Sequence, residues 1–286
     1  MHIFIMVLAL CILATLKATL QSAFAKKNVK NTTDGIFFNG LIFIFSSLLF
    51  IKDAVGCNII VILFGTVFGL GSFLYQLFYI KAMACGNVSL TILMVNLSMI
   101  IPTTFSAFAY GEKITPLRLL GIILCLIALT LGVDYKEKAK EYKKWFLFAL
   151  LAMLANGAST IWQKVFSKTE YVSDSGGFVA WSYLAAAVFS VIMYFVLKTK
   201  STALSFKITH TIILFALSAG IVLGIFQYIN TKAVSTIDGT LLFPSFYGGN
   251  LITSTLAGVL IFKDKLKKSQ IISIIVGAIS LVLMSI

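Results

Sequence analysis

Leu63-Phe64 … Gly69 … Gln76-Leu77-Phe78-Tyr79-Ile80-Lys81-Ala82 is written again as Leu214-Phe215 … Gly220 … Gln227-Tyr228-Ile229-Asn230-Thr231-Lys232-Ala233. The offset stays at 151 positions throughout (63 to 214, 82 to 233). An earlier pair of segments agrees at an offset of 142, through Gln21 and Gln163, Phe24 and Phe166, Lys26 and Lys168. Self-similarity at half the length of an apolar chain points to two structural repeats with a site between them.

The surrounding composition says what those repeats are made of. The 286 residues are 59% hydrophobic and only 12% charged, with a mean hydropathy of +1.01. A soluble domain of this size needs a charged shell that these residues do not supply. A helix needs about 20 apolar residues to span the hydrocarbon core. Ten such stretches stand at roughly 3–24, 35–51, 58–80, 88–109, 117–133, 145–166, 177–197, 210–231, 240–262 and 269–286. Each is expected to be helical, because backbone groups in lipid must bond within their own segment. The expected fold is an all-α membrane protein of ten transmembrane helices in two five-helix repeats, residues 1–134 and 145–286, joined by a basic connector at 135–144. Five is odd, so the second copy enters the membrane inverted relative to the first.

Ala23-Phe24-Ala25 mimics a small-x-small cleavage site. Against a cleaved leader, the start carries no Lys or Arg, Lys17 interrupts the apolar run, and the segment has a counterpart in the second half. It is therefore expected to stay as the first helix.

A net charge of +13 in a soluble protein suggests nucleic acid. Here the lysines fall in short loops beside the spans, so the charge faces the bilayer surface and no nucleic-acid partner is expected. The odd-numbered connections hold 16 Lys and the even-numbered ones 6 Lys or Arg, which by the positive-inside rule puts both termini outside. The four cysteines and two histidines have neither metal nor redox spacing, so no metal and no cofactor are expected. Paired acids, a His pair or a Ser/His couple within the spans are missing too, so no enzyme is expected.

Polar groups inside apolar segments mark the candidate site. All ten carboxylates fall in loops or at segment ends. Without an acid near the midplane, simple proton/cation antiport is disfavoured. Lys17 is the one charge well inside a span, ~12 Å from its helix end at 1.5 Å per residue. It either snorkels to interfacial water or faces a cavity, where an anionic group of a substrate would balance it. Gln21 lies four residues on, on the same face. Buried amides must be bonded, so Gln76, Asn96, Gln163, Gln227, Asn230 and Asn250 are expected to point inward, with Tyr228 and Tyr247 beside them. Asn156, Tyr75, Trp162 and Trp181 belong to the same polar and aromatic set. The ninth segment, Pro244-Ser-Phe-Tyr-Gly-Gly-Asn250 … Thr253-Ser-Thr255, is too polar to face lipid all round and is expected to line a cavity. Pro102 and Pro244 interrupt the fourth and ninth segments, as packing kinks or as bends that gate a cavity. The third and eighth segments share a small-residue stripe, Gly65, Gly69 and Ser72 against Ala216, Gly220 and Leu223. Such stripes bring helices close, within one chain or between two protomers of a homodimer.

Gly111-Glu112-Lys113-Ile114-Thr115 … Leu120-Gly121 closely resembles the Gly-Glu-x-hydrophobic-Thr … Leu-Gly signature of EamA-type carriers in the drug/metabolite transporter superfamily. The second copy carries a weaker version, Phe262-Lys263-Asp264-Lys265-Leu266. Many of these carriers have a proline about thirteen residues before the Glu; this chain has Met99 there and Pro102 one turn later. The resemblance implies a five-plus-five bundle with a central cavity, working by alternating access on a small metabolite. It also implies cytoplasmic termini, opposite to the lysine count. The expected function is a secondary carrier or exchanger in the cell membrane for a small polar metabolite, an anionic one if Lys17 faces the cavity. A lipid-linked sugar flippase or an accessory membrane subunit is the alternative.

Overall fold

The computed structural model describes residues 2–85, 88–131, 141–198, 204, 209–262 and 268–285. Residues 132–140, which hold the larger part of the basic connector at 135–144, and the Lys263–Lys267 stretch, with most of the second copy of the Glu signature, lie outside the described residues. About 90% of the described residues are helical and none is in a strand. The helices are α1 (His2–Asn28), α2 (Thr32–Leu49), a single turn α3 (Ile51–Ala54), α4 (Ile59–Cys85), α5 (Val88–Leu97), α6 (Ile100–Tyr110), α7 (Pro116–Leu131), α8 (Tyr142–Phe166), α9 (Ser175–Leu197), α10 (His210–Thr236), α11 (Gly239–Phe262) and α12 (Lys268–Ser285). Seven stretches are long and apolar enough to cross a membrane, and Pro116–Leu131 and Lys268–Met284 are shorter apolar helices. Large apolar side chains such as Phe4, Leu63, Leu214, Leu260 and Ile272 are exposed, while Asn39, Gln76, Lys164 and Gln227 are buried. That inside-out polarity belongs to a chain whose surroundings are lipid. The protein is an all-α, multi-pass membrane protein.

Local chemistry sets the helix limits. Asn31 accepts the Asp34 N–H at 2.8 Å, and the Asp34 carboxylate accepts the Lys30 and Asn31 N–H groups at 2.9 and 3.3 Å, a capping box that opens α2. Pro116 begins α7, where its missing N–H costs nothing. Gly111 ends α6 at φ +64°, a left-handed cap that favours glycine. The expected single helix over 88–109 is two. Pro102 has no N–H for the Ser98 carbonyl, and the Ser98, Met99 and Ile101 N–H groups bond three residues back instead, to Val95, Asn96 and Ser98. The chain therefore breaks at Ser98–Met99. Pro244 sits inside α11 without ending it.

Corresponding glycines of the two repeated stretches do the same work. A Cβ at Gly69 would fall on the Ser182 carbonyl oxygen, so only glycine lets α4 lie so close to α9. A Cβ at Gly220 would stand 2.8 Å from the Ile42 carbonyl oxygen, where α10 meets α2. Ser46 Oγ donates to the Gly220 carbonyl at 2.8 Å across that contact, and Ser47 Oγ to Ala180 O at 2.9 Å, tying α2 to α9. The small-residue stripe is thus spent within the chain. Further packing sets α1 against α10 and α11, α8 against α4, α5 and α6, and α7 against α12. Two large apolar cores result, with a smaller cluster of Ala82, Trp145 and Ala149. One large core holds Phe24, Phe43, Phe68, Phe178, Tyr183 and Leu223; the other holds Leu10, Met99, Cys125, Leu242, Phe243 and Tyr247.

Candidate functional site

Between those cores lies a cavity of about 270 Å³, walled by Phe43, Phe68, Tyr183 and Leu223 on one side and by Leu242, Phe243 and Tyr247 on the other. Of the ten residues expected to contact a ligand, eight reach it: Lys17 on α1, Gln76 on α4, Asn96 on α5, Gln163 on α8, Gln227 and Asn230 on α10, Tyr247 and Asn250 on α11. Gln76 and Gln227, equivalent in the repeated stretch, both stand on the wall.

The wall is a bonded network with two open ends. Asn156 Nδ2 donates to Ser98 Oγ at 2.7 Å and to the Tyr247 hydroxyl at 2.8 Å, joining α8 and α11 to the break before α6. Gln163 donates to Thr231 Oγ1 at 2.9 Å and accepts from Asn230 Nδ2 at 3.2 Å. The Tyr183 hydroxyl donates to Gln227 Oε1 at 3.3 Å, while Gln227 Nε2, on a side chain 4% exposed, has no partner. Lys17 likewise has no ion-pair or hydrogen-bond partner among the described residues. Thr15 donates to Asn250 Oδ1 at 3.4 Å and pairs with Thr253 at 2.7 Å, fastening α1 to α11 beside the cavity.

Two of the ten lie elsewhere. Gln21 lines a second cavity of about 520 Å³ between the ends of α1, α2 and α4, because its position on α1 is a turn beyond Lys17. Tyr228 faces away from the ligand space: its ring stacks on Phe50 at 5.3 Å with the Lys232 ammonium 5.8 Å above it. On a helix, neighbours 227 and 228 point about 100° apart, so only one can serve the cavity. Neither Pro102 nor Pro244 is on the wall; Pro102 is buried at the start of α6, and the Pro244 carbonyl lies 3.8 Å from Cys125 Sγ.

The second cavity meets the first at Gln76 and Ala18, which line both. There Asn39 Oδ1 accepts from Gln21 Nε2 at 2.6 Å and from Gln76 Nε2 at 2.9 Å, and Asn39 Nδ2 donates to Gly35 O at 2.9 Å. Three amides from α1, α2 and α4 form the partition. Asn39 was legible by the criterion already applied, an amide inside an apolar segment, and belongs with the others.

The opposite end of the bundle carries a buried ion pair. α4 and α8 are antiparallel: Trp162 Nε1 donates to Phe64 O at 3.0 Å at one end, and Glu141 N to Cys85 O at 3.2 Å at the other. The second cavity is at the Cys85 end. At the Phe64 end, Lys164 and Glu112 form an ion pair of 2.7 Å with side chains 0% and 7% exposed. Glu112 also accepts the Thr240 N–H at 3.0 Å, capping α11 at its positive end. Lys164 Nζ reaches the last carbonyls of α10, Val234 and Ile237, at 3.4 and 3.5 Å. Lys164 stands in the last turn of α8, so Lys17 keeps its place as the charge well inside a span. Glu112 comes from a loop yet is buried, because the loop folds under the helix ends. Arg118 and Asp238, 3.6 Å apart, stand beside this pair.

Among the described residues no three of His, Cys, Asp or Glu converge on one point, so nothing on the wall is arranged to hold a metal. What the wall can do is offer hydrogen bonds, aromatic faces and one positive charge to a small solute.

No family model matches the chain, and no curated protein matches it. A solved structure described only as "Crystal structure of protein" is similar over 99% of this chain and 95% of that chain, with a TM-score of 0.76 at 19% identity. At that identity the likeness carries the fold alone.

Proposed function

We propose that the protein is a secondary carrier or exchanger of the cell membrane that moves a small polar metabolite by alternating access. In this reading it is built as ten spans in two inverted five-helix repeats, as in the EamA-type carriers that Glu112 and its neighbours resemble. The observation that carries the proposal is the polar cavity itself: amides from both halves wall it, a buried ion pair stands at one end of the bundle, and a thin amide partition separates it from a second cavity at the other. The packing supports the repeat. α1 lies on α10 and α8 on α4, α2 on α9, α7 on α12, a pattern unchanged when the halves are exchanged. Closing one end while opening the other needs only that the ion pair part as the amide partition thickens.

A volume of about 270 Å³ is at the small end of ligand sites, which run from roughly 300 to 1,000 Å³. It suits a metabolite better than a lipid-linked sugar and so favours a carrier over a flippase. The test is counterflow in liposomes. Purified protein, preloaded with an unlabelled metabolite, is expected to accumulate the labelled form transiently and saturably. Folded protein that moves nothing across a broad metabolite panel would overturn the proposal.

A further inference from the structure

Among the described residues, Lys17 is the sole charged one on the central wall: no Asp, Glu, Arg or His joins it. The titratable groups facing it across the cavity are phenols, Tyr75 on α4, Tyr183 on α9 and Tyr247 on α11. The buried cation nearby, Lys164, is already paired with Glu112. An ammonium in such a space, without a counter-charge, is costly. On the same cavity wall the buried Gln227 Nε2 has no acceptor, and native structures rarely leave such a donor unmatched. Both unmatched groups are donors. Both ask for an acceptor oxygen, and the ammonium for one that carries negative charge. Much of the remaining wall is ring faces, Phe43, Phe68, Phe226, Phe243 and Phe246, which offer stacking and no hydrogen bond.

We infer that the ligand of this cavity is a small monoanion, a carboxylate joined to a flat apolar or aromatic body, with its oxygens on Lys17 and Gln227 and its body among the phenylalanines. The inference rests on the carrier reading for what becomes of the ligand, but its charge rule concerns binding alone. A dianion would bring a second charge with no cation to meet it. A zwitterion would set its ammonium near Lys17, with no carboxylate on the wall to receive it. A neutral amide can accept from the two donors but leaves the Lys17 charge without a counter-charge.

The charge rule is tested with four ring compounds that differ only in the group they carry: benzoate, benzamide, phenylalanine and phenyl phosphate. Thermal unfolding of the detergent-solubilised protein reads their binding. Benzoate or a close monoanion (phenylacetate, indole-3-acetate) is expected to raise the unfolding temperature by about 2–4 °C at saturation, and the other three not to. Lys17→Met is expected to unfold at or above the ligand-free wild-type temperature and ignore benzoate, and Lys17→Arg to keep the response. If Lys17→Met does not fold, the charge series on the wild type decides. Equal stabilisation by benzamide or phenylalanine, or no response to any of the monoanions, overturns the inference. Flux assays separate the two claims: exchange of a zwitterion or neutral solute ends the charge rule and leaves the carrier standing. Bound benzoate with no flux of any solute does the reverse.

Discussion

Lys17 and Lys164 are chemically alike, yet one is left without a partner and the other is locked to Glu112, and that difference assigns their roles. Glu112→Gln would leave the Lys164 ammonium buried and unpaired, at a cost of about 3–5 kcal/mol. We expect a clear fall in unfolding temperature, largely recovered by adding Lys164→Met, and a thermal double-mutant cycle measures it. Recovery should be good because both charges then leave a site that buries them almost completely. Tyr228→Ala, by contrast, should leave ligand binding untouched, since that ring stacks on Phe50 outside the cavity. The sequence placed amides inward correctly from the cost of burying them, and eight of ten chosen residues share one wall. It could not separate Gln227 from Tyr228, because adjacency along the chain says nothing about which side of a helix faces water.

Between elements, the repeated glycines do the most. Gly69→Leu would drive a side chain into the Ser182 backbone and push α4 off α9, a loss of about 1–3 kcal/mol typical of overpacking. Gly220→Leu should do the same to α10 on α2, because its Cβ would stand 2.8 Å from the Ile42 carbonyl oxygen. Thermal unfolding of the two variants should fall together; a tolerated change at either would show that the helices can slide apart. Pro102→Ala restores an N–H for the Ser98 carbonyl and should let α5 and α6 join. The Ser98–Asn156–Tyr247 bonds depend on that break, so flux should drop more than ligand affinity does. Here the sequence named the proline and its two alternatives, a kink or a gate. It did not reveal that the chain breaks before the proline, since that depends on where the three-residue bonds form.

For the whole molecule, the proposed five-plus-five arrangement predicts which loops share a side. Cysteines introduced at Lys113 and Glu170 should react with a membrane-impermeant maleimide from the same face as Cys57, and one at Lys30 from the other. Cys57 itself will label slowly at neutral pH. Burial, with the Asp174 and Asp53 carboxylates, raises its thiol pKa, so the thiolate fraction is low near pH 7 and labelling accelerates as pH rises. A Lys30 cysteine that reacts from the Cys57 face would remove the topology. The sequence by itself determined that the chain is helical, lives in lipid and turns its amides inward, because the cost of an unbonded polar group in hydrocarbon can be read one segment at a time. Only the tertiary structure decided that Glu112 pairs with Lys164 at one end, that Asn39 divides two cavities, and that Lys17 stands without a counter-charge. Pairing is a property of distances between helices, and no residue carries that information alone.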